Sequence, residues 1–221
     1  MKVLVFDTET TGLPEDSYAS FHDSSKWPHI IQISYIIFDT ETKEILEYND
    51  RIVKLDKSVV ISPESIAIHQ ITREKSERQG SHIKEVLDEF VQSIQKSDVI
   101  VGHNIIFDKR IITVELYRHG IKNCFYNSNG AIPEYCTMKR STDICAIPTV
   151  NKKTGETYNK YPTLTELHTK LFGTAPKGTH NAIADVMICL RCYVMLECKY
   201  DVSSDNDVKL VFRILYQSYC M

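Results

Sequence analysis

The chain has 221 residues, 43% of them hydrophobic, which is enough apolar material for a substantial core and predicts one large domain spanning residues 1–221. A formal charge of −3 excludes the strongly basic signature of many nucleic-acid binders, although two bound divalent cations would reverse its sign. Seven cysteines without regular spacing, no run of 18 apolar residues and no targeting segment ahead of Lys2 predict a reducing, cytoplasmic setting, with neither secretion nor membrane insertion.

The first stretch, Lys2 to Leu13, reads KVLVFDTETTGL. Its continuous run Val3, Leu4, Val5, Phe6 predicts a strand buried on both faces. That strand runs directly into Asp7 and Glu9, which project from the same face about 7 Å apart along it. Two carboxylates at the edge of a core repel and resist ionisation unless a cation lies between them, and a hard divalent ion such as Mg²⁺ takes oxygen ligands. The polar stretch Pro14 to His29 reads as a long loop hanging from this strand. Within it Trp27 is expected to cap the edge of the core, while contact of Trp27 and His29 with a base or sugar is the alternative.

Ile30–Asp39 and Glu44–Lys54 predict a hairpin, making an up-down-up antiparallel unit with the first strand. Ser62 and Pro63 open a short helix through about Ile68, with His69 at its end. A longer helix follows from Ser81, with Ile83, Val86, Leu87, Phe90 and Ile94 on one face. Asp98–Asn104 reads as a short strand and Ile105–Gly120 as the helix that leaves it, a parallel crossover. Between Lys122 and Pro162 the pattern is weakest, and the last strand is sought around Cys136 to Ile147. Val150–Pro162 is a polar excursion with Lys152, Lys153, Lys160 and two tyrosines, open to reading as a solvated loop or as a contact for single-stranded nucleic acid. Thr163 to Glu166 form a capping box for a helix ended by Gly173. Val186, Leu190, Val194 and Leu196 mark the next helix, and Val208, Val211, Phe212 and Leu215 a final one from about Asp205 to Tyr219. Cys189 and Cys192 form a C-x-x-C without a matching second pair, so core packing is expected there rather than zinc.

Two further acids stand out. Asp108 lies in the first turn of a helix leaving a strand end, where ligand sites of α/β sheets form, and Asp185 lies early in an otherwise apolar helix. His180 precedes Asp185 by five residues, about 140° around a helix, so it belongs to the loop before that helix. From there an imidazole, suited to proton transfer at neutral pH, can approach an attacking water without being a metal ligand.

DTETTG at Asp7–Gly12, GHNIIFD at Gly102–Asp108 and HNAIAD at His180–Asp185 stand in the order of the three motifs of the DnaQ-like 3′–5′ exonucleases, and the histidine resembles the DEDDh branch. The resemblance covers nearly the whole chain. It implies a ribonuclease H-like α/β fold: a mixed sheet of about five strands, the first one central, with helices on both faces. It also implies a two-metal phosphodiesterase using Mg²⁺, with Mn²⁺ able to substitute. In that reading Asp7 bridges the two ions, Glu9 and Asp185 complete the tighter site, Asp108 holds the second ion, and His180 takes a proton from the attacking water. Thr10, Thr11, His69 and Asn104 would hold the terminal nucleotide, with Leu13 and Phe107 packed on its base or sugar. Gln70 stands where the family commonly has glycine. The expected activity is 3′–5′ hydrolysis of single-stranded DNA or DNA 3′ ends, releasing nucleoside 5′-monophosphates, in proofreading or repair and with a polymerase or repair protein as a possible partner. RNA trimming is the alternative, and a non-catalytic nucleic-acid or polymerase-binding module the remote one.

Overall fold

The computed structural model describes residues 1–16, 18–176 and 178–203. In chain order the first strands are β1 (Lys2–Thr10), β2 (Ile30–Asp39) and β3 (Glu44–Ile52). Then come helices α1 (Pro63–His69), α2 (Arg73–Gln79) and α3 (Ile83–Ile94), strand β4 (Val99–Gly102) and helix α4 (Ile105–Arg118). A two-residue ribbon, β5 (Tyr126–Asn127) with β6 (Gly130–Ala131), leads to β7 (Glu134–Cys136). Two single-turn helices, α5 (Thr137–Arg140) and α6 (Thr142–Cys145), a second ribbon, β8 (Pro148–Val150) with β9 (Thr157–Asn159), and helices α7 (Leu164–Phe172) and α8 (Ala182–Cys198) complete the order.

The main sheet runs β3-β2-β1-β4-β7. The β3–β2–β1 half is antiparallel and the β1–β4–β7 half parallel, so the mixed five-stranded sheet with a central first strand is what the sequence led us to expect. Strand alternation decides what each face covers. Leu4 and Phe6 point into one core with Ile33, Tyr35, α3 (Val86, Leu87, Phe90) and α4 (Ile111, Ile112). Val3 and Val5 point into the other with Ile36, Phe38, Val101 and the apolar length of α8. Burial of β1 on both sides explains its unbroken apolar run.

Several elements differ from the sequence reading. β1 stops at Thr10, not Leu13, because the register slips between Glu9 and Thr10 and the Thr11 N–H leaves the ladder for the His29 carbonyl. β3 ends at Ile52, after which Val53 bridges Ser81 in parallel. The fifth strand is Glu134–Cys136, which meets the stretch in which it was sought only at Cys136; most of that stretch is α5 and α6. Three residues on a sheet edge are too few to carry a readable period. Helix α2 was not anticipated, since it is polar throughout and buries only Ser76; its Thr72 side chain accepts the Lys75 N–H. The Val150–Pro162 excursion holds the solvent-exposed β9 strand of the second ribbon. The expected helix over 205–219 lies outside the described residues. Trp27 is 5% exposed and packs in the first core, so it does cap the edge there.

Candidate active site

Odd-numbered residues of β1 face α8. Asp7 and Glu9 therefore continue the line of Val3 and Val5 past the end of the core and meet Asp185 in the first turn of α8. One carboxylate oxygen from each of Asp7, Glu9 and Asp185 lies within 4.8 Å of the others, and all three residues are half-buried. Asp108 comes from the opposite side. It is buried on the inward face of α4, and its Oδ1 accepts hydrogen bonds from the Thr8 N–H at 3.0 Å and the Thr8 hydroxyl at 2.7 Å.

The local turns that make this convergence possible are tight. A Cβ on Gly102 would sit 3.1 Å from the Ile105 side chain, so glycine lets α4 begin directly after β4. Asn104 caps that helix with φ +65° and is exposed. His103 fastens the turn from below, with Nδ1 2.9 Å from the Thr137 hydroxyl and Nε2 3.0 Å from the Pro162 carbonyl; its burial pushes its pKa down to about 4. His180 is exposed at φ +71°, and its backbone N–H donates to Asp185 Oδ2 at 3.0 Å.

Burial opposes ionisation of all four acids, and repulsion by neighbouring carboxylates adds to it at Asp7, Glu9 and Asp108. Burial, then the neighbouring Asp108, Asp185 and Glu9 charges, holds Asp7 well above the usual carboxylate range. Burial and the Asp185 and Asp108 charges push Glu9 up to about 8. Burial raises Asp108 to about 7 against the Thr8 hydrogen bonds, and Asp185 to about 6 against the His180 N–H. Hard oxygen donors converging at a cost in self-repulsion are what a divalent cation would relieve, so the residues fit a metal centre. Raised folded-state pKa values mean that ionising these groups penalises the metal-free fold. The penalty is absent below the ordinary carboxylate range near pH 4 and is complete only above about pH 8. The upward shift in Tm caused by Mg²⁺ is therefore expected to be small at pH 5.5 and several degrees larger at pH 8. Thermal melts with Mg²⁺ or EDTA at the two pH values measure it, and equal shifts at both would contradict this electrostatic picture.

Beside the acids a cavity of about 550 Å³ is lined by Glu9, Thr10, Leu13, Ser65, His69 and Phe107, among others. Leu13 is 83% exposed at its rim. His69 is buried; its Nδ1 accepts the Ile71 N–H at 3.0 Å, leaving Nε2 as the protonated nitrogen, with the Thr10 backbone as the acceptor on His69. Thr11 and Asn104 do not line this cavity. Thr11 is turned inward, with its hydroxyl accepting the His29 N–H at 3.0 Å. Gln70 closes α1 at φ +59°, the left-handed conformation that makes glycine the easier residue at this position.

The sequence model of the exonuclease family RNase T matches residues 4–193, which includes every acid of the site. The chain belongs to that exonuclease family. Its fold is also that of Exonuclease I. The Escherichia coli Exonuclease I complex with a dT13 oligonucleotide superposes with a TM-score of 0.66 at 18% identity, covering 88% of this chain and 41% of the other. A second Exonuclease I structure gives 0.67 at 18% identity over 98% of this chain and 42% of that one. Exonuclease I from Methylocaldum szegediense gives 0.62 at 21% identity, over 89% and 40%. The chain thus spans about two fifths of the length of these proteins. No curated protein sequence matches it. Among the described residues no helix is long and apolar enough to cross a membrane.

Three features of this chain escaped the sequence reading. Thr8, the second residue of the first motif, holds Asp108; its alternation between Asp7 and Glu9 was the available signal. His103 is the second. The third is a buried ion cluster at the far end of α4. Glu115 is 1% exposed and bonds Arg118 at 2.8 Å and the Ile30 N–H at 3.2 Å, with His29 Nδ1 at 3.1 Å. Arg118 also donates to the carbonyls of Ser24, Trp27 and Pro28. His29, read from sequence as able to touch a base, instead turns its ring toward Glu115. Burial opposes ionisation of Glu115, but the His119 and His29 partners and the Arg118 charge outweigh it and hold its pKa at about 2. Removing Glu115 leaves the half-buried Arg118 without its counter-charge. We expect Glu115→Ala to cost about 3–5 kcal/mol in urea unfolding. A loss below about 1 kcal/mol would mean the cluster is not a structural anchor.

In the α8 core Cys192 is buried, and the buried Cys189 sulfur lies 3.6 Å from the Thr137 hydroxyl.

Proposed function

We propose that residues 1–221 form a single exonuclease domain that removes nucleotides from the 3′ end of single-stranded DNA, releasing nucleoside 5′-monophosphates. One observation carries this reading: Asp7, Glu9 and Asp185 converge, with Asp108 charge-coupled to Asp7, and Glu9 of that cluster also lines a nucleotide-sized cavity. Asp7, Glu9 and Asp185 would hold one divalent ion and Asp7 and Asp108 a second, with Mg²⁺ the natural choice and Mn²⁺ a substitute. Bound there, the ions would supply Lewis-acid stabilisation of charge on the attacking and leaving oxygens.

The chain's own residues do the rest. Thr10 and His69 give the cavity its polar wall, while Leu13 and Phe107 supply apolar surface for a base or sugar. Asn104, exposed beside the first turn of α4, would hold the terminal nucleotide from its rim, and Thr11 would contribute by fixing the turn that carries Thr10. His180, exposed on its loop and joined through its backbone to Asp185, takes a proton from the attacking water.

The Exonuclease I complex with dT13 supports DNA as substrate. Four acids that repel one another serve no purpose in a silent binding module. A repair or polymerase protein remains the natural class of partner, and the cytoplasm the proposed setting. Digestion of labelled DNA and RNA oligomers side by side, with Mg²⁺ or Mn²⁺, tests the assignment. Faster loss of the single-stranded DNA from its 3′ end is expected. Preferential loss of RNA would reassign the substrate, and no digestion of either would refute the reading.

A further inference from the structure

The loop over 14–29 and the outward face of α4 enclose a second cavity, of about 500 Å³. Phe21 and Trp27 from the loop, Ile106 and Thr113 from α4, and Phe125 and Tyr126 from the ribbon region line it. Its chemistry differs from an ordinary surface dimple. Phe21 and Tyr126 are 43% and 59% exposed, and Phe21 packs edge-to-face at 6.1 Å against Tyr117, also exposed. Lys109 and Arg110 reach the same groove; Lys109 lies 5.4 Å from the Phe125 ring and pairs with the exposed Glu134 carboxylate.

This groove and the active-site cavity flank a single helical turn. Phe107 lines one and Ile106, the residue before it, lines the other. A helix is about 10 Å across, roughly three nucleotides at a stacked rise of about 3.4 Å. Exposed aromatic faces beside cations are the chemistry of a sequence-tolerant single-strand platform. The loop wall is not free to collapse, because Arg118 holds the carbonyls of Ser24, Trp27 and Pro28, and the Trp27 indole N–H donates to the Ser20 carbonyl.

We propose that this groove is a second nucleic-acid subsite, which stacks bases of the same single strand several nucleotides upstream of the one held against the acids. The proposal rests on the exonuclease reading of the neighbouring cavity. It gives the 14–29 loop a role in substrate length preference.

Two variants test it: Phe21→Ala/Tyr126→Ala, which removes exposed rings, and Thr113→Trp, which fills the groove. Each is assayed on a dT12 oligomer and on the p-nitrophenyl ester of thymidine 5′-monophosphate, which has no upstream nucleotide. Both variants are expected to raise KM for dT12 about tenfold and leave hydrolysis of the ester unchanged. Equal effects on both substrates, or none on dT12, would overturn the proposal and leave the groove to a protein partner. Should the wild-type protein cleave neither substrate, the exonuclease reading fails by itself. Fluorescence anisotropy with labelled dT12 and dT3 then still decides the subsite: preference for dT12 that is lost in both variants supports it, and preference unchanged by them refutes it.

Discussion

Asp7→Asn is expected to abolish cleavage while making the metal-free protein more stable. Asp7 is held well above the usual carboxylate range, first by burial and then by the charges of Asp108, Asp185 and Glu9. An amide of the same shape removes that repulsion without opening a cavity. At pH 8 the metal-free Tm should rise by roughly 2–4 °C, the shift that about 1 kcal/mol produces in a domain of this size. The stabilisation by Mg²⁺ should largely disappear in the same variant, and oligomer digestion should fall by about 10³-fold or more. Asp185→Ala should silence the enzyme similarly, without the gain in stability, because it also removes the acceptor for the His180 N–H. Thermal melts and a digestion assay on one preparation read all of these effects. Wild-type digestion by Asp7→Asn would end the proposed mechanism.

The second large effect belongs to His180. Its hydrogen bond to Asp185 runs through the backbone N–H, so removing the imidazole keeps that bond and takes away only the attraction of the ring's charge. His180→Ala should therefore keep the Mg²⁺-dependent rise in Tm while kcat falls by about 10²–10⁴-fold, the range for losing a general base. Because φ at this position is +71°, His180→Gly is the better-tolerated companion, and it should show the same kinetic loss. Concurrent loss of the metal response in both variants would make His180 part of the metal site instead of a proton acceptor.

These expectations draw unequally on sequence and structure. The buried run Val3–Phe6 ending in Asp7 and Glu9, the β2–β3 hairpin, the crossover into α4 and the capping box at Thr163 were all legible, because each is written in spacing over a few residues. The short edge strand at Glu134–Cys136 was displaced and α2 was missed, because neither carries an apolar period. Gln70 read as a departure from the family pattern; its left-handed backbone gives the physical reason glycine is common there.

The sequence by itself determined the kind of chemistry: four acids and a histidine in three motifs, with alternation placing Asp7 and Glu9 on one face of a central strand. Only the tertiary structure decided how they divide. Asp7 and Glu9 meet Asp185 on the α8 side, whereas Asp108 arrives from the other side and is held by Thr8, 100 positions away. It likewise decided that Glu115 and Arg118 anchor the loop beside the site, through bonds spanning some 85 to 94 positions. Side-chain periodicity fixes which way a residue points along its own element, but not which distant element stands opposite, and that is settled when the two faces of the sheet are covered.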